Sequence, residues 1–330
     1  MGNSDSHIRF IDLFCGIGGF RIAMEAALRK AGLAGECVFS CDIDEAAREA
    51  YLANFGDTPH GDITKVKASA IPDHDVLLAG FPCQAFSICG DRRGFEDARG
   101  TLFFDIARIL KAKKPKAFVL ENVRQLKTHD KGNTFRRIME TLEGLGYSTQ
   151  SMILNAIDFG LPQKRERVFI AGTLGQALFQ WPVEKIPMTP LADLLEKEVP
   201  ERYYASDRIR ENRRKSVNGG QTPKSPAIWH ENKSGHISVY EFSCALRAGA
   251  SYNYLLVDGR RRLTEREMLR LQGFPDSFKY TGKYTEVKKQ AGNSLPAPVA
   301  EAVLHSLIRS CFASGETVRR KTGRAAAGKL

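Results

Sequence analysis

Residues 8–14 form an apolar run that closes in Cys15-Gly16-Ile17-Gly18-Gly19 and passes straight into a helical pattern reaching about Lys30. Strand, glycine turn and helix in that order point to an α/β chain with a ligand cradle at the turn. Glycines let the backbone approach a ligand, and the start of a helix presents free N–H groups. The spacing is not the dinucleotide G-x-G-x-x-G, and a glycine turn alone is weak evidence. An acidic residue strengthens it: Asp42 follows the next apolar run, 38–40, where a carboxylate accepts both hydroxyl hydrogens of a ribose.

Two further apolar runs end in residues suited to chemistry. DVLLAG, 75–80, is short, aliphatic and closed by glycine, so it reads as a buried strand that delivers Cys83 just past its carboxyl end. In an open α/β sheet that edge is where ligands bind. KAFVLENV, 116–123, brings Glu121 to the same edge. A thiolate adds to an electron-poor ring carbon, and a protonated glutamic acid beside a pyrimidine nitrogen makes the ring electrophilic. Read singly, Cys83 is one more buried thiol and Glu121 a helix cap. QKRER, 163–167, precedes another apolar run. If 167–171 runs antiparallel to its neighbours, its start lies on the shared edge and sets Arg165 and Arg167 beside Cys83 and Glu121. Between the strands, 84–100 carries three glycines and Arg92, Arg93 and Arg99, the texture of a basic loop hinged on glycine.

GFPCQAFS at 80–87, ENV at 121–123 and QKRER at 163–167, with DLFCGIGGF near the start and QAGNSLPAPVA near the end, occur in the order and approximate spacing of the DNA (cytosine-5)-methyltransferases. The chain resembles that family from Phe10 to about Ile308, apart from a variable stretch at roughly 175–245. The resemblance implies a Rossmann-like sheet that binds S-adenosylmethionine, with a second, smaller and irregular target-recognition domain. The implied boundaries are 1–174 for the catalytic and cofactor domain, 175–279 for recognition, and 280–330 for the return to the catalytic domain plus a basic tail. It implies that Gly16, Ile17, Gly18 and Gly19 form the cofactor turn, that Phe14 lies against the adenine, and that Asp42 followed by Ile43 meets the ribose. Asp62 matches the position that reads the adenine amino group, and Asn293 and Ser294 match positions near the methionine part. Where the family usually has glutamate and a bulky side chain, this chain has Asp42-Ile43. Cys83, Glu121, Arg165 and Arg167 are the implied catalytic set, with Arg167 on the cytosine oxygen. Gln84, Ser87 and Arg99 are the implied DNA contacts, on a loop that closes over DNA.

The implied reaction is methyl transfer to carbon-5 of a flipped cytosine in double-stranded DNA through a covalent cysteine adduct, in an enzyme of the bacterial or phage restriction-modification type. Whether a cognate endonuclease acts on the same site is open. An RNA cytosine methyltransferase on the same scaffold and a catalytically silent DNA-binding protein are the rivals. A nicotinamide oxidoreductase fits poorly, because the glycine spacing is wrong and the cysteine has no task.

Charge and composition agree with a polyanionic partner. Of the net +11, residues 84–137 hold a surplus of seven and 319–330 a surplus of five, leaving the remainder at about minus one. The tail surplus also fits a solvated terminus. No apolar run approaches the ~20 residues of a membrane span, and residues 1–10 lack a signal-peptide pattern, so a cytoplasmic location is expected. Seven cysteines without metal-type repeats read as free thiols, and no metal is expected. Monomer is the default state. From about Leu174 periodicity is poor: prolines, then charge-dense 208–215 and GGQTPKSP at 219–226, suit a small module. Its tyrosines, Trp229 and His230 read as core before base contacts, and its arginines as phosphate contacts or an exposed helix face. Thr264 and Glu267 are spaced as a capping box that opens a helix.

Overall fold

The computed structural model describes residues 7–82, 102–175, 179–217 and 225–312. Cys83, Gln84, Ser87 and Arg99 lie outside the described residues.

A six-stranded sheet carries the chain to Leu174. In chain order it is built from β1 (Ile8–Leu13), α1 (Gly19–Ala31), β2 (Gly35–Cys41), α2 (Glu45–Phe55), β3 (Val76–Gly80), α3 (Leu102–Lys113), β4 (Ala117–Val123), α4 (Asn133–Gly144) and β5 (Tyr147–Asn155). A short β6 (Gln163–Lys164) precedes the last strand, β7 (Glu166–Leu174). The order across the sheet is β2-β1-β3-β4-β7-β5. The first four strands are parallel, and β7 runs antiparallel between β4 and β5. The continuous apolar runs follow from this placement: Val76 to Ala79 and Ala117 to Leu120 are fully buried, as strands covered on both faces must be. Antiparallel β7 is what brings its first residues to the carboxyl edge of the parallel strands, the condition on which the sequence placed Arg165 and Arg167 there.

The remaining elements are α5 (Leu191–Leu194), α6 (Asp207–Ser216), β8 (Ile228–Glu231), β9 (Ile237–Tyr240), β10 (Ser243–Cys244), β11 (Leu255–Val257), α7 (Glu265–Leu271), α8 (Tyr284–Asn293) and α9 (Ala297–Cys311). β11, β8 and β9 form a small antiparallel sheet. β10 pairs with β6, joining this region to the threshold of β7. The capping box at α7 is formed, with Thr264 accepting from the Glu267 amide and Glu267 accepting from the Thr264 amide. Residues 208–215 lie in α6, and Arg213 turns inward, buried. Tyr203 and Tyr254 are core, as expected, and Tyr252 is exposed.

Two cores flank the large sheet. One packs α1 and α9 against β1, β3 and β4 through Phe20, Met24, Val299 and Leu304; the other packs α3 and α4 on the opposite face through Phe103, Ile106 and Leu142. A third core joins Ile17 and α2 to Leu246, Leu255, α7 and α8. The C-terminal elements therefore share apolar contacts with the glycine turn itself.

Candidate active site

The carboxyl edge of the sheet collects the residues singled out in the sequence. Gly80, the last residue of β3, pairs in register with Glu121 on β4. A Cβ placed on Gly80 would come within 3.8 Å of Glu121 Oε2, so the carboxylate hangs over the strand end that leads through Phe81 and Pro82 to position 83. Asn122, also buried, donates to the Phe81 carbonyl at 2.9 Å and fixes the exit of the chain from β3. Val123 faces Arg167 across the β4–β7 ladder, and Arg167 Nε meets Glu121 Oε1 at 2.9 Å. Burial raises the Glu121 carboxyl above the usual carboxylate range, against the opposing pull of Arg167 and Arg165. A carboxyl disposed to hold its proton beside a guanidinium is a hydrogen-bond donor and a proton source at a dry edge.

Arg165 is engaged differently from its neighbour. The residue is 1% exposed, and its guanidinium donates to the carbonyls of Leu246 at 2.9 Å, Gly292 at 3.0 Å and Ser294 at 2.5 Å. Glu121 still feels its charge, but the hydrogen bonds tie the start of β7 to two distant segments. Burial, then the neighbouring Arg167, push its pKa down to about 9. Sequence reading missed the rest of this network. Buried Gln163 donates to the Leu271 carbonyl at 2.7 Å and accepts from the Leu246 amide at 3.0 Å. Gln272 donates to the Ala291 carbonyl at 2.6 Å. Gln163 opens QKRER and Gln272 follows the α7 helix, both segments already noticed, but a glutamine carries no periodicity that separates buried from exposed.

The glycine turn sits on the same edge. Phe14 and Gly16 have φ of 55° and 53°, and Gly18 has φ of 91° as the residue before α1. A side chain at Gly18 would also strike the Phe55 ring, at 2.3 Å from the added Cβ. Asp42 organises the turn: Oδ2 accepts the Gly16 amide at 2.7 Å and Oδ1 the Asp44 amide at 2.8 Å, leaving each oxygen a further lone pair. Ile43 beside it is 76% exposed. Asp62 holds its own turn by accepting from the Thr64 amide and hydroxyl. Asn293 is exposed at the end of α8, and a Cβ on Gly19 would lie 3.0 Å from Ser294 Oγ. Ile17 is buried in the third core. The structure thus brings Phe14, the turn, Asp42 and Ser294 to one side of the sheet edge, and Glu121 with Arg167 beside them.

Beneath the turn, Asp12 is fully buried, and among the described residues neither carboxylate oxygen has a hydrogen-bond partner. Burial, opposed by Arg21, pushes its pKa up to about 8. The folded protein therefore keeps a proton that the unfolded chain releases near pH 4, and stability falls as pH rises from about 4 to about 8. The melting temperature of Asp12→Asn relative to the natural protein is expected to climb between pH 5 and pH 8.5. A difference constant across that range in thermal melts would show that Asp12 does not titrate there.

Residues 8–309 match the family model described as C-5 cytosine-specific DNA methylase. The chain belongs to that family. The methylase is 54% identical over 294 residues to the Type II methyltransferase M.NgoBI of Neisseria gonorrhoeae, covering 88% of this chain and 90% of that one. It is 52% identical over 302 residues to the Type II methyltransferase M.HaeII of Haemophilus aegyptius, covering 91% and 92%. Among solved structures, a DNMT2 variant of Spodoptera frugiperda shares the fold with a TM-score of 0.71 at 19% identity, covering 92% of this methylase and all of that chain. The α/β sheet expected from the glycine turn is thus the fold of C5 methyltransferases, and the family implies S-adenosylmethionine as methyl donor. Among the described residues no helix is long and apolar enough to cross a membrane.

Proposed function

We infer that this methylase recognises a short sequence in double-stranded DNA, flips a cytosine out of it and transfers a methyl group to carbon-5 through an adduct with Cys83. The observation that carries the residue assignment is the buried Glu121–Arg167 pair, held by strand register above Gly80, three residues before the cysteine. Extruding the base costs a few kcal/mol and exposes both faces of the ring. Glu121, whose carboxyl burial shifts toward its protonated form, donates to ring nitrogen 3, and Arg167 holds the cytosine oxygen. The Cys83 thiolate adds to carbon-6, which makes carbon-5 nucleophilic. After methyl transfer the carbon-5 proton leaves, and the sulfur–carbon bond breaks to return the thiolate.

The turn fits S-adenosylmethionine. Among the described residues Gly16 has no neighbouring atom within 4 Å of where a side chain would be, and Asp42 retains lone pairs toward a ribose. Phe14 and Ile43 would lie against the adenine and ribose, Asp62 at the adenine amino group, Asn293 and Ser294 toward the methionine part. When bound, the cofactor supplies an electrophilic methyl group; the chain's part is to hold and orient it. Residues 1–174 with 280–330 would form the catalytic unit and 175–279 the recognition unit. Gln84, Ser87 and Arg99 would contact DNA. The same reading makes the methylase a monomer of a restriction-modification system, with a cognate endonuclease acting on the same site without a stable complex. Cys15, Cys37, Cys41, Cys244 and Cys311 are free thiols, which suits a cytoplasmic location.

Cys83→Ser is expected to abolish transfer of labelled methyl groups to DNA while leaving retention of duplex DNA in a gel-shift assay within a few-fold. DNA containing 5-fluorocytosine, which has no carbon-5 proton to lose, should trap the natural protein as a denaturant-stable adduct and leave the variant free. Adduct formation by the serine variant would remove Cys83 from the mechanism. Bisulfite sequencing of a plasmid carried with this gene in a host without cytosine methylation should show protected cytosines within one recurring sequence. Protection confined to RNA would favour the RNA rival.

A further inference from the structure

A cleft of about 620 Å³ opens between the turn of the β8–β9 hairpin and residues 247–254. Its walls carry Glu231, Lys233, Arg247, Ser251 and Tyr254. The segment from 245 to 254 has no regular secondary structure, yet buried polar contacts fix it along its length. Leu246 is held through its amide by Gln163 and through its carbonyl by Arg165. Lys288 donates to the carbonyls of Ala248 at 3.2 Å and Ala250 at 2.6 Å. Gly292 packs so closely beneath Ala248 that an added Cβ would lie 2.4 Å from its amide nitrogen. Buried Arg213 spans both walls, bonding Glu231 at 2.7 Å on the hairpin and the Asn253 carbonyl on the other side. A surface segment braced in this way presents its exposed side chains in one geometry.

Arg247 is the exposed side chain that the bracing aims. Its amide donates to the Tyr254 hydroxyl at 2.9 Å, and its guanidinium lies over the Tyr254 ring, 4.8 Å from the centroid. Among the described residues the guanidinium has no carboxylate or carbonyl partner. Stacking fixes the plane of a five-donor fork and leaves its edge for an acceptor pair. Two kinds of DNA group offer that pair, a phosphate and the O6 and N7 atoms of guanine. The bracing decides between them: a phosphate is met as well by a loosely held cation, whereas the paired acceptors of guanine need a fork of fixed plane, and Glu231, already bonded to Arg213 at 2.7 Å, keeps lone pairs for the amino hydrogens of the paired cytosine.

Resting on the DNA-methylating reading above, we propose that this cleft reads the major-groove edge of a G·C pair in the recognition sequence, with Arg247 donating to the guanine. The preformed fork accounts for the bracing: a base reader that is already ordered loses little freedom on binding.

The test is methylation of a plasmid library with randomised sequences, read by bisulfite sequencing for the natural protein, Arg247→Ala and Arg247→Lys. Because Arg247 is exposed, both variants are expected to keep the natural melting temperature and S-adenosylmethionine affinity. Arg247→Ala should accept other bases at one position of the recurring sequence, losing roughly 5- to 150-fold of discrimination there. Arg247→Lys should be relaxed at that same position while its affinity keeps the natural dependence on salt. If both variants keep the full sequence preference, and alanine merely weakens binding evenly with a shallower salt dependence, Arg247 contacts phosphate and the proposal is overturned. Absence of protected cytosines with the natural protein would overturn the methylation reading itself, and the base-reading role with it.

Discussion

Glu121→Gln is expected to lower the turnover number by about 10²- to 10⁴-fold with little change in cofactor affinity. Glutamine nearly reproduces the shape of the side chain and still offers an N–H to a ring nitrogen, but it has no proton to give. The surroundings explain why the proton matters. Glu121 is 9% exposed, and burial lifts its pKa even with the Arg167 guanidinium 2.9 Å away. A lone carboxylate next to arginine would be held low; here desolvation outweighs the pair, so the acid form persists to higher pH than at the surface. The natural protein should therefore lose activity as pH rises through that elevated pKa, and the glutamine variant should lack this limb of the profile. Single-turnover rates from pH 5.5 to 9 would measure both. A variant with the natural rate, or a profile unchanged by the substitution, would reduce Glu121 to a partner that merely orients Arg167.

The folded chain makes plain which parts of this site sequence could reveal. The inner strands β3 and β4 were legible because each is buried on both faces and reads as a continuous apolar run, with glycine or a polar pair marking its end. The sequence placed the ends of both runs on one edge, and the ladder between β3 and β4 adds the register that sets Gly80 opposite Glu121. The direction of β7 was left conditional on the antiparallel ladder, and that ladder is what places Arg167 against Glu121. What could not be read was the polar interior between the sheet and the C-terminal segments. Gln163, Gln272, Arg213 and Lys288 are polar residues whose partners are backbone carbonyls tens of residues away, and such bonds leave no period or motif. For the same reason the charge-dense run 208–215 left exposed helix and phosphate contact equally open, although one of its arginines is a structural brace. Ile17 and α2 share a core with Leu255, α7 and α8, so elements on either side of residue 175 pack together, which no local pattern announces.

That shared interior makes Arg165 the second residue whose loss should be severe. One guanidinium satisfies the carbonyls of Leu246, Gly292 and Ser294, so the start of β7, the segment bearing Arg247 and the return to the cofactor turn meet at a single side chain. Arg165→Met keeps much of the buried volume and removes this donor from all three carbonyls, leaving Ser294 only the longer contact from Gln272 Nε2 at 3.3 Å. Hydrogen bonds to a charged group contribute about 1.5–3 kcal/mol each, so three sum to about 4.5–9 kcal/mol, and removing a costly buried charge offsets part of this, for an expected destabilisation of roughly 3–6 kcal/mol. Arg165→Lys should recover a fraction, because a single ammonium cannot reach three carbonyls in the planar fork that fits them. Activity is expected to fall with stability and more steeply, since Ser294 adjoins Gly19 of the cofactor turn and Leu246 precedes the cleft. Urea unfolding midpoints measured beside turnover and S-adenosylmethionine affinity distinguish the roles. If Arg165 acted only on the flipped base, the methionine variant would lose turnover with its unfolding midpoint and cofactor affinity intact. If it holds the three segments in place, midpoint, cofactor affinity and turnover fall together, and lysine restores them in the same order.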